Sequence, residues 1–592
     1  MIKAFLNYGL LFDISISCYI LLLPYIIVSI RNITGYWNSC LHRFLNIYFS
    51  ILLIIVLALL IADLPFFSFY NSRITNSILS WTDDLSLMFK ALLFYRDFYL
   101  YIVLFLIISV ASLLFVIKIN FYLLKDFIPS KTGLVYNIIL TMTTGSLMFL
   151  GIRGDLNFKS KPLITEDAFF CDYSFINQLA INPVFNFIDS YRAFDIKYYD
   201  QQSALNNVRY YLKVKDNLQS PVARKIYFNE PACKANIVIV LMESMSANKM
   251  GCFGNDKGLT PFLDSLYRVS LSFNNFYTAG IHTYNAIFST LCSLPALMKD
   301  KPTVESKSAG KTFDGISSIL AKKGYYNMFF CTGDKRFDNM GAFLKTNNFH
   351  QIISEIDYPA NKIINGWGVA DHTMLNFAIP VLNNQSKKNQ PFLAVILTIT
   401  AHEGAEISEA IDYKPKTTNK TDQLYEYSDW ALKNFFNKAK QQEWFDNTIF
   451  VFLADHGQNF DPLYEMPLSY HHSPLIIYSS KYIRPAINNN FALQMDVFPT
   501  LMGIMKLEYI NNTLGIDLLK DKRPYAYFSA DNKIGCLDDK YYLIIRKDKS
   551  SSLYKYKEKN IADCYNNNKQ TTDSMKKYVF SMLQSSKWLI EN

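Results

Sequence analysis

The stretch NIVIVLMES, residues 236–244, decides the fold of the larger part of this chain. Six apolar residues follow one another from Ile237 to Met242, and four of them are β-branched. A run of this length and composition predicts a strand that is buried on both faces. Glu243 and Ser244 then end the run with polar side chains.

Three further runs share this pattern, and helical patterns lie between the runs. The other strands are predicted at 325–330 (YYNMFF), 391–400 (PFLAVILTIT) and 447–455 (NTIFVFLAD), and amphipathic helices at 312–323 and 423–441. Buried strands that alternate with helices are typical of an α/β domain with a central, mostly parallel sheet. Because ligands of such sheets bind beyond the carboxyl ends of the strands, the residues just after each run are the informative ones.

Metal-binding residue types follow three of these strands. Glu243 ends the first run, His402 follows the run at 391–400, and Asp455 and His456 end the last run. Taken singly, a glutamate after a strand is more often a charge at a helix N-terminus than a metal ligand. Gathered at one edge, however, carboxylate oxygens and imidazole nitrogens are the ligands that Mn²⁺, Mg²⁺ and Zn²⁺ take. We therefore predict a divalent metal site.

A threonine in AGIHTYNAIFST, residues 279–290, has two interpretations. By itself, Thr283 is best interpreted as a helix N-cap before YNAIFSTL. A divalent metal that touches a hydroxyl lowers its pKa and makes it a nucleophile. A helix N-terminus also points backbone N–H groups at phosphoryl oxygens. Together with the predicted metal site, these effects favour Thr283 as the nucleophile.

The first part of the chain has a membrane-protein composition. The chain has 592 residues, of which 50% are hydrophobic and 16% aromatic. It is too long for one compact domain and too apolar to be wholly soluble. The apolar residues concentrate in runs that each approach the roughly 20 residues needed to cross a bilayer. We predict an α-helical membrane domain with four transmembrane helices, at about 9–29, 44–63, 99–118 and 133–152.

The charges of the short loops predict the orientation of these helices. The loop at 30–43 carries two arginines and a histidine without an acid, and the loop at 118–132 carries three lysines against Asp126. Both loops are therefore expected in the cytoplasm, and the segment 64–98 and everything after the fourth helix outside. This topology excludes cytosolic ATP as a fuel. The first apolar run is too long for a cleavable signal peptide and has no small-residue cleavage site after it.

The chain divides into four predicted parts: a transmembrane domain at 1–152, a connector at 153–234, an α/β domain at 235–520 and a small C-terminal subdomain at 521–592. The last part is predicted to form a few exposed antiparallel strands without chemistry. The net charge of +9 contains no dense block of Lys and Arg, so nucleic acid is not a predicted partner. Seven cysteines follow the membrane helices without a CxxC pair, which allows one or two disulfides of unreadable pairing.

Several segments resemble a known family. NIVIVLMESMSANKMGCFG (236–254), the region 259–297 around Thr283 and FLADHG (452–457) are similar to the lipoteichoic acid synthase and periplasmic glucan phosphoglycerol transferase group of the alkaline phosphatase superfamily, whose fold is sulfatase-like. NGWGVADHTML (365–375) resembles a mid-domain segment of that group. The resemblance extends to about residue 520. Members of the group usually have five membrane helices, one more than we predict here.

The resemblance implies roles for the candidate residues. Glu243, Thr283, Asp455 and His456 match the metal ligands of the family, and Thr283 also matches its nucleophile. Family members split a phosphoglycerol or phosphoethanolamine head group from a membrane phospholipid, hold it on the threonine and pass it to a glycan or polymer hydroxyl. The implied cofactor is Mn²⁺ or Mg²⁺, with Zn²⁺ as a further option. The implied location is the bacterial cytoplasmic membrane, with the catalytic domain on the extracytoplasmic side.

The resemblance also implies supporting residues. His402 matches a histidine that contacts the phosphate or protonates the leaving alkoxide. Asp334 and Arg336 lie in the segment that binds the head-group phosphate, where the family's His-Gly-Asp is Thr-Gly-Asp in this chain. His471 and His472 begin fifteen residues after His456. They are either substrate-binding residues, as in phosphoethanolamine transferases, or residues that only end a strand.

The alternatives to phosphoglycerol transfer differ from it in the head group, in the acceptor or in whether the protein is a catalyst. Phosphoethanolamine transfer to lipid A or to a glycan needs only another head group, and a phosphodiesterase needs only water as the acceptor. A sulfatase would need a formylglycine made from the Cys or Ser of a C/S-x-P-x-R motif, whereas here Cys292 lies three residues before Pro295 and no Arg follows the proline. A non-catalytic sensing module would not keep all four metal-site residue types. His282 stands where relatives often carry Lys or Arg, and the sequence predicts no oligomeric state.

Overall fold

The structure is a computed structural model. It describes residues 4–34, 39–70, 73–76, 78–79, 97–125, 133–154, 163, 165–168, 174–191, 196–297, 311–365, 367–402, 407, 413–460 and 462–592. The chain divides into two compact units, of which the first comprises Met1–Thr82 and Ala91–Ala193 and the second comprises Asp83–Lys90 and Phe194–Asn592. The predicted connector at 153–234 is therefore split between the two units.

The first unit is helical. Its described helices are α1 (Leu10–Thr34), α2 (Ser39–Tyr70), α3 (Asp97–Lys125), α4 (Leu134–Arg153), α5 (Ser174–Ala180) and α6 (Pro183–Asp189). Among the described residues, α1 to α4 are long and apolar enough to cross a membrane, which confirms the four predicted helices. The first three run past their predicted C-terminal ends, to Thr34, Tyr70 and Lys125.

Two acidic residues of these helices have partners within the first unit. Asp63 accepts hydrogen bonds from Arg73 Nη1 at 2.5 Å and from the backbone N–H of Ile74 at 2.8 Å. Asp13 accepts one from Asn182 Nδ2 at 2.7 Å. Charges within apolar helices are costly unless they are paired, so these contacts explain how both carboxylates are tolerated.

The second unit contains the remaining described helices and all described strands. Its helices are α7 (Gln201–Tyr211), α8 (Pro261–Arg268), α9 (Thr283–Cys292), α10 (Ile316–Lys322), α11 (Met340–Thr346), α12 (Asp371–Ser386), α13 (Lys420–Ala439), α14 (Val497–Met505) and α15 (Lys569–Glu591). Its strands are β1 (Arg224–Ile226), β2 (Asn236–Met242), β3 (Leu271–Tyr277), β4 (Tyr326–Cys331), β5 (Gln351–Ile353), β6 (Ile363–Asn365), β7 (Gly368–Val369), β8 (Phe392–Leu397), β9 (Thr448–Ala454), β10 (His472–Tyr478), β11 (Ala486–Leu493), β12 (Tyr509–Asn511), β13 (Ala526–Ser529), β14 (Lys533–Leu537), β15 (Tyr542–Arg546) and β16 (Ser551–Tyr554).

Eight of the described strands form one large sheet, in the order β11-β3-β10-β9-β2-β8-β4-β5. β10 is antiparallel to both of its neighbours, and the other pairs are parallel, which confirms the predicted mostly parallel sheet. The run that opened the sequence analysis is β2, and it lies between β9 and β8. Met242 pairs with Ala454, so β2 and β9 end side by side.

The large sheet is buried on both faces. Successive side chains of a strand point to opposite faces, and the residues of β2 separate accordingly. Ile237, Ile239 and Leu241 join a core that contains residues of α9, α14 and α15. Val238, Val240 and Met242 join a second core that contains residues of α8, α12 and α13. An uninterrupted apolar run is what this arrangement requires.

The C-terminal residues differ from their prediction. β13 to β16 form a four-stranded antiparallel sheet, but its residues are buried rather than exposed and share a core with β3 and α14. The helix α15, which follows them, was not predicted. Its apolar residues Met575, Val579 and Leu583 recur at helical spacing among lysines, serines and glutamines, so its average composition hides an apolar stripe.

The described cysteines are free thiols. They lie at positions 18, 40, 233, 252, 292, 331, 536 and 564, whereas Cys171 lies outside the described residues. The structure therefore contains no disulfide between any two of these eight described cysteines. Burial raises the pKa of the Cys292 thiol in α9, which keeps this residue protonated and unreactive.

Candidate metal and nucleophile site

Three candidate ligands meet where β2 and β9 end. Glu243 directly follows β2, and Asp455 and His456 directly follow β9. Each offers one ligand atom, and these atoms all lie within 4.8 Å of one another. His456 Nε2 is 3.5 Å from Asp455 Oδ2 and 4.0 Å from Glu243 Oε1. The parallel pairing of the two strands is what brings residues so distant in sequence together.

Thr283 joins this cluster from the start of α9. Its Oγ1 donates a hydrogen bond of 2.9 Å to Asp455 Oδ2. The threonine is half-buried, so its hydroxyl can be approached. The structure differs from the N-cap interpretation, because His282 is the N-cap and Thr283 is the first helical residue. The hydroxyl of Thr283 is therefore directed to the carboxylate of Asp455.

The cluster fits a divalent metal ion. Glu243 Oε2 is buried and has no hydrogen-bond partner among the described residues, whereas Oε1 accepts a hydrogen bond of 2.7 Å from Ser244 Oγ. Burial and the neighbouring Asp455 carboxylate raise the pKa of Glu243 well above its ordinary value. Two adjacent buried carboxylates are costly without a positive charge between them. A cation bound by both would offset this cost.

The backbone around Ser244 orients the acidic ligands. The N–H groups of Ser244 and His456 both donate to Asp455 Oδ1, at 2.9 and 2.7 Å. Ser244 has a φ of 54°, in the left-handed region that is unfavourable for residues other than glycine. Tyr425 holds the same residue by donating a hydrogen bond of 3.0 Å to its carbonyl oxygen. Backbone strain of this kind concentrates at functional sites.

Gln494 connects the loop 279–283, which contains Thr283, with the end of β9, and sequence reasoning missed it. Its Oε1 accepts a hydrogen bond of 2.8 Å from the N–H of Ala279. Its Nε2 donates to the carbonyl oxygens of Ala454 and Asp455, at 2.9 and 2.8 Å. The side chain is fully buried. An amide that bridges two segments so far apart in sequence gives no local sequence signal.

Gly457 completes the Asp-His-Gly motif for a steric reason. Its N–H donates a hydrogen bond of 2.7 Å to the carbonyl oxygen of Tyr470. A Cβ atom at this position would lie 2.0 Å from the carbonyl oxygen of Ser469. Only glycine therefore permits the segment at 469–470 to pack against the metal-ligand turn.

His402 is held by a segment that the sequence had singled out, residues 365–375. Its ring stacks on Trp367, with 5.1 Å between the ring centroids. Asp371, at the start of α12, accepts hydrogen bonds from the N–H groups of Ile399 at 2.9 Å and Thr400 at 3.1 Å. Asp371 is buried, and it fixes the backbone that leads from β8 to His402. Trp367 and Asp371 were not among the predicted site residues.

Asp334 and Arg336 lie on the turn after β4. Because β4, β8, β2 and β9 are parallel neighbours, this turn is at the same edge of the sheet as the metal-ligand cluster. The two residues pair with each other, and Arg336 Nε is 2.8 Å from Asp334 Oδ2. The guanidinium holds the pKa of Asp334 below its ordinary value. The Arg336 side chain is 85% exposed, so it can reach a ligand in solution.

The two adjacent histidines have different surroundings. His472 Nε2 is 2.8 Å from the carbonyl oxygen of Asn274, and the His472 ring stacks on Tyr277. His471 is fully buried, and its ring stacks on Phe528 at a centroid distance of 4.0 Å. Burial, together with the nearby His456, lowers the pKa of His471 to about 3. His471 is therefore a neutral residue that packs against Phe528.

This low pKa predicts an acid sensitivity that His471→Phe removes. Because the folded pKa lies near 3 and the unfolded pKa near 6.5, the unfolded chain binds the extra proton as the pH falls through this range. His471 therefore lowers the free energy of unfolding by up to about 1.4 kcal/mol per pH unit below pH ~6.5. Denaturant unfolding of the metal-free protein in chelator, at pH 7 and pH 5, measures the effect. An equal loss of unfolding free energy between pH 7 and pH 5 in the parent and in His471→Phe would contradict this prediction.

A family model described as sulfatase matches residues 235–507, which lie within the unit that carries this site. A solved structure from Vibrio parahaemolyticus, described as a protein in the alkaline phosphatase superfamily, is 26% identical with a TM-score of 0.60 and covers 66% of this chain and 96% of its own. The lipoteichoic acid synthase LtaP from Listeria monocytogenes is 20% identical with a TM-score of 0.51, covers 66% of this chain and 98% of its own, and supports the fold alone.

The chain is also similar to two curated proteins of the lipoteichoic acid synthase and phosphoglycerol transferase type. The chain is 26% identical to lipoteichoic acid synthase-like YvgJ of Bacillus subtilis over 320 residues, which are 49% of this chain and 51% of that protein. It is 28% identical to phosphoglycerol transferase I of Salmonella paratyphi B over 255 residues, which are 39% of this chain and 32% of that protein. The matches thus span about half or less of these relatives. They confirm for this domain the predicted group, the lipoteichoic acid synthase-like members of the alkaline phosphatase superfamily.

Proposed function

We propose that this chain is a membrane-anchored, metal-dependent transferase that moves a phosphoglycerol head group from a phospholipid to a glycan or polymer hydroxyl. The observation that carries the proposal is the hydrogen bond of 2.9 Å from Thr283 Oγ1 to Asp455, within a cluster of ligand atoms. It puts a hydroxyl beside the groups that can activate it. The name of a relative, phosphoglycerol transferase I, supports this choice of head group.

The cofactor that we propose is Mn²⁺ or Mg²⁺, held by Glu243, Thr283, Asp455 and His456. Two carboxylates and a hydroxyl make this donor set rich in oxygen, which these hard ions prefer and Zn²⁺ requires less. When bound, the ion would offset charge on the phosphoryl oxygens and lower the pKa of the threonine hydroxyl.

Thr283 carries the first displacement in this proposal. Its Oγ1 attacks the phosphorus of the lipid head group, and the bond from phosphorus to the diacylglycerol oxygen breaks. The threonine proton leaves toward Asp455 Oδ2, its hydrogen-bond partner. Diacylglycerol departs as an alcohol after taking up one proton, for which His402 is the proposed donor. The phosphoglycerol is then bound to Thr283 as a phosphodiester.

The second displacement regenerates the enzyme. The acceptor hydroxyl gives its proton to His402 and attacks the same phosphorus, the bond from phosphorus to Thr283 Oγ1 breaks, and Asp455 returns the proton to the threonine. Two easier displacements replace one difficult transfer. Asp334 and Arg336 are the proposed head-group contacts, because they share the sheet edge with the cluster and Arg336 offers an exposed guanidinium.

The membrane helices supply the proposed location. The basic loops at 30–43 and 118–132 favour an extracytoplasmic α/β domain on the bacterial cytoplasmic membrane, although Asp126 and part of each loop lie outside the described residues. A lipid donor in the outer leaflet requires no cytosolic nucleotide, and α1 to α4 would keep the enzyme in the same membrane as its substrate.

Direct competition between donors tests the head group. We expect the full-length protein with Mn²⁺ to release diacylglycerol from phosphatidylglycerol vesicles, and the Thr283 peptide to gain the mass of a phosphoglycerol group. Vesicles of phosphatidylethanolamine serve as the parallel donor. A phosphoethanolamine adduct from the parallel vesicles, with none from phosphatidylglycerol, would replace the proposed donor. Release of free glycerol phosphate at the full rate without an acceptor would make the protein a phosphodiesterase.

A further inference from the structure

The C-terminal sheet reaches the residue next to the nucleophile. Asp531 lies on the turn between β13 and β14, and its Oδ1 is 2.7 Å from His282 Nε2. Both side chains are largely buried, with 8% and 16% exposure. The ring of His282 also stacks on Tyr284, with 5.1 Å between centroids and 13° between planes. The imidazole is thus held at its edge by a carboxylate and on one face by a phenol ring.

The strand β13, which precedes this turn, makes two more contacts around the site. The N–H of Ser529 donates a hydrogen bond of 2.9 Å to the carbonyl oxygen of Ala279, at the start of the nucleophile loop. Phe528 stacks on His471 at 4.0 Å. β13 and the turn that follows it therefore contact the loop 279–283 at both of its ends. The sequence had predicted no chemistry for this C-terminal region.

The opposite side of the loop is fixed by the large sheet. Gln494 accepts a hydrogen bond from the N–H of Ala279, and Asp455 accepts one from the hydroxyl of Thr283. His282 itself has an extended backbone, and its N–H donates to Asn285 Oδ1 at 3.3 Å. The loop thus lies between two sheets, and the His282 side chain is its link to the C-terminal one.

We propose that Asp531 is a positioning residue for the nucleophile, an inference that rests on the proposed function. Asp531 fixes the His282 ring, and His282 fixes the first turn of α9, so that the Thr283 hydroxyl stays aimed at the reacting phosphorus. Small misplacements of a reacting group reduce rates strongly. The C-terminal sheet thereby becomes part of the active site without touching the substrate.

The test compares kinetic constants in full-length variants. We expect Asp531→Asn to lower kcat for diacylglycerol release from phosphatidylglycerol about 10-fold, with KM unchanged within about twofold. Bound Mn²⁺ per chain and thermal stability should stay at the parent's values. Asp548→Asn is the matched control, because Asp548 lies on the turn between β15 and β16 of the same sheet and accepts a hydrogen bond from the N–H of Ser550. This control should keep the parent kcat.

A double-mutant cycle separates positioning from a general structural effect. If Asp531 acts through His282, Asp531→Asn should have no further effect on kcat in a His282→Gln background. If the loss of kcat in the double variant equals the product of the losses in the two single variants, the proposal is overturned. An unchanged position of residues 279–283 in a crystal structure of Asp531→Asn would also overturn it, whatever the activity.

A second substrate allows the role of Asp531 to be tested separately from the identity of the lipid donor. The same cycle is run on a chromogenic aryl phosphodiester, which reports cleavage by Thr283 without any lipid. Parent activity on this ester and none on phospholipid would refute the proposed donor, while the cycle still decides the role of Asp531. Parent-level kcat of Asp531→Asn on both substrates would refute the positioning role alone.

Discussion

Thr283→Ala should lower the rate of diacylglycerol release by a factor on the order of 10⁴ to 10⁶, as loss of a nucleophile does in other covalent catalysts. The proposed mechanism requires a hydroxyl that is already hydrogen-bonded to Asp455 Oδ2. Alanine leaves no atom that can carry the phosphoglycerol group. Initial rates with phosphatidylglycerol vesicles measure the loss, and mass analysis should show no adduct on the peptide that contains residue 283.

The control for this variant comes from the same helix. Thr290 is buried in α9, and its hydroxyl has no hydrogen-bond partner among the described residues. Thr290→Val should therefore keep both the activity and the stability of the parent. Thr283→Ser, which retains a hydroxyl, should recover part of the activity. Parent-rate turnover by Thr283→Ala would show that another group attacks the phosphorus.

Asp455→Asn should remove both the metal and the activity. The carboxylate makes three hydrogen bonds, to the N–H groups of Ser244 and His456 through Oδ1 and to the Thr283 hydroxyl through Oδ2. Asparagine keeps the size but loses the charge. Because changes to groups around metal ligands already cost 10- to 100-fold in affinity, loss of a ligand should weaken Mn²⁺ binding by more than about 100-fold. Metal content after dialysis and calorimetric titration with Mn²⁺ measure this.

A second buried aspartate provides the matched control. Asp429 accepts hydrogen bonds from the N–H groups of Phe262 and Leu263 at the start of α8, outside the metal cluster. Burial raises the pKa of Asp429 to about 7, so Asp429→Asn removes only part of a negative charge near neutral pH. It should bind Mn²⁺ like the parent. If Asp455→Asn also retained tightly bound metal, the ligand assignment would be wrong.

Local patterns in the sequence predicted much of this fold. The apolar runs that became β2, β4, β8 and β9 were visible because strands buried on both faces need uninterrupted apolar residues. The meeting of Glu243, Asp455 and His456 could be predicted because they follow the ends of parallel strands, where the position along the chain determines the edge. The four apolar helices followed from length and composition alone.

Long-range contacts could not be predicted in this way. Asp531 meets His282 across 249 residues of sequence, and Gln494 meets Ala279 across 215. Nothing in the composition near either partner encodes such a pairing. The orientation of His472 depends on the register of β10 against β3, which a single sequence does not reveal. The burial of the C-terminal sheet likewise depends on the elements that pack against it, which its own sequence does not reveal.

The central place of β2 affects how the protein can be made. β2 is the first strand of the large sheet to be synthesised, yet its neighbours β8 and β9 begin only at Phe392 and Thr448. At translation speeds of about 5–20 residues per second, this apolar strand waits on the order of ten seconds or more for its partners. Exposed runs of this kind favour aggregation while they are unpaired. A shortened chain that ends before Thr448 would leave one side of β2 unpaired and would precipitate.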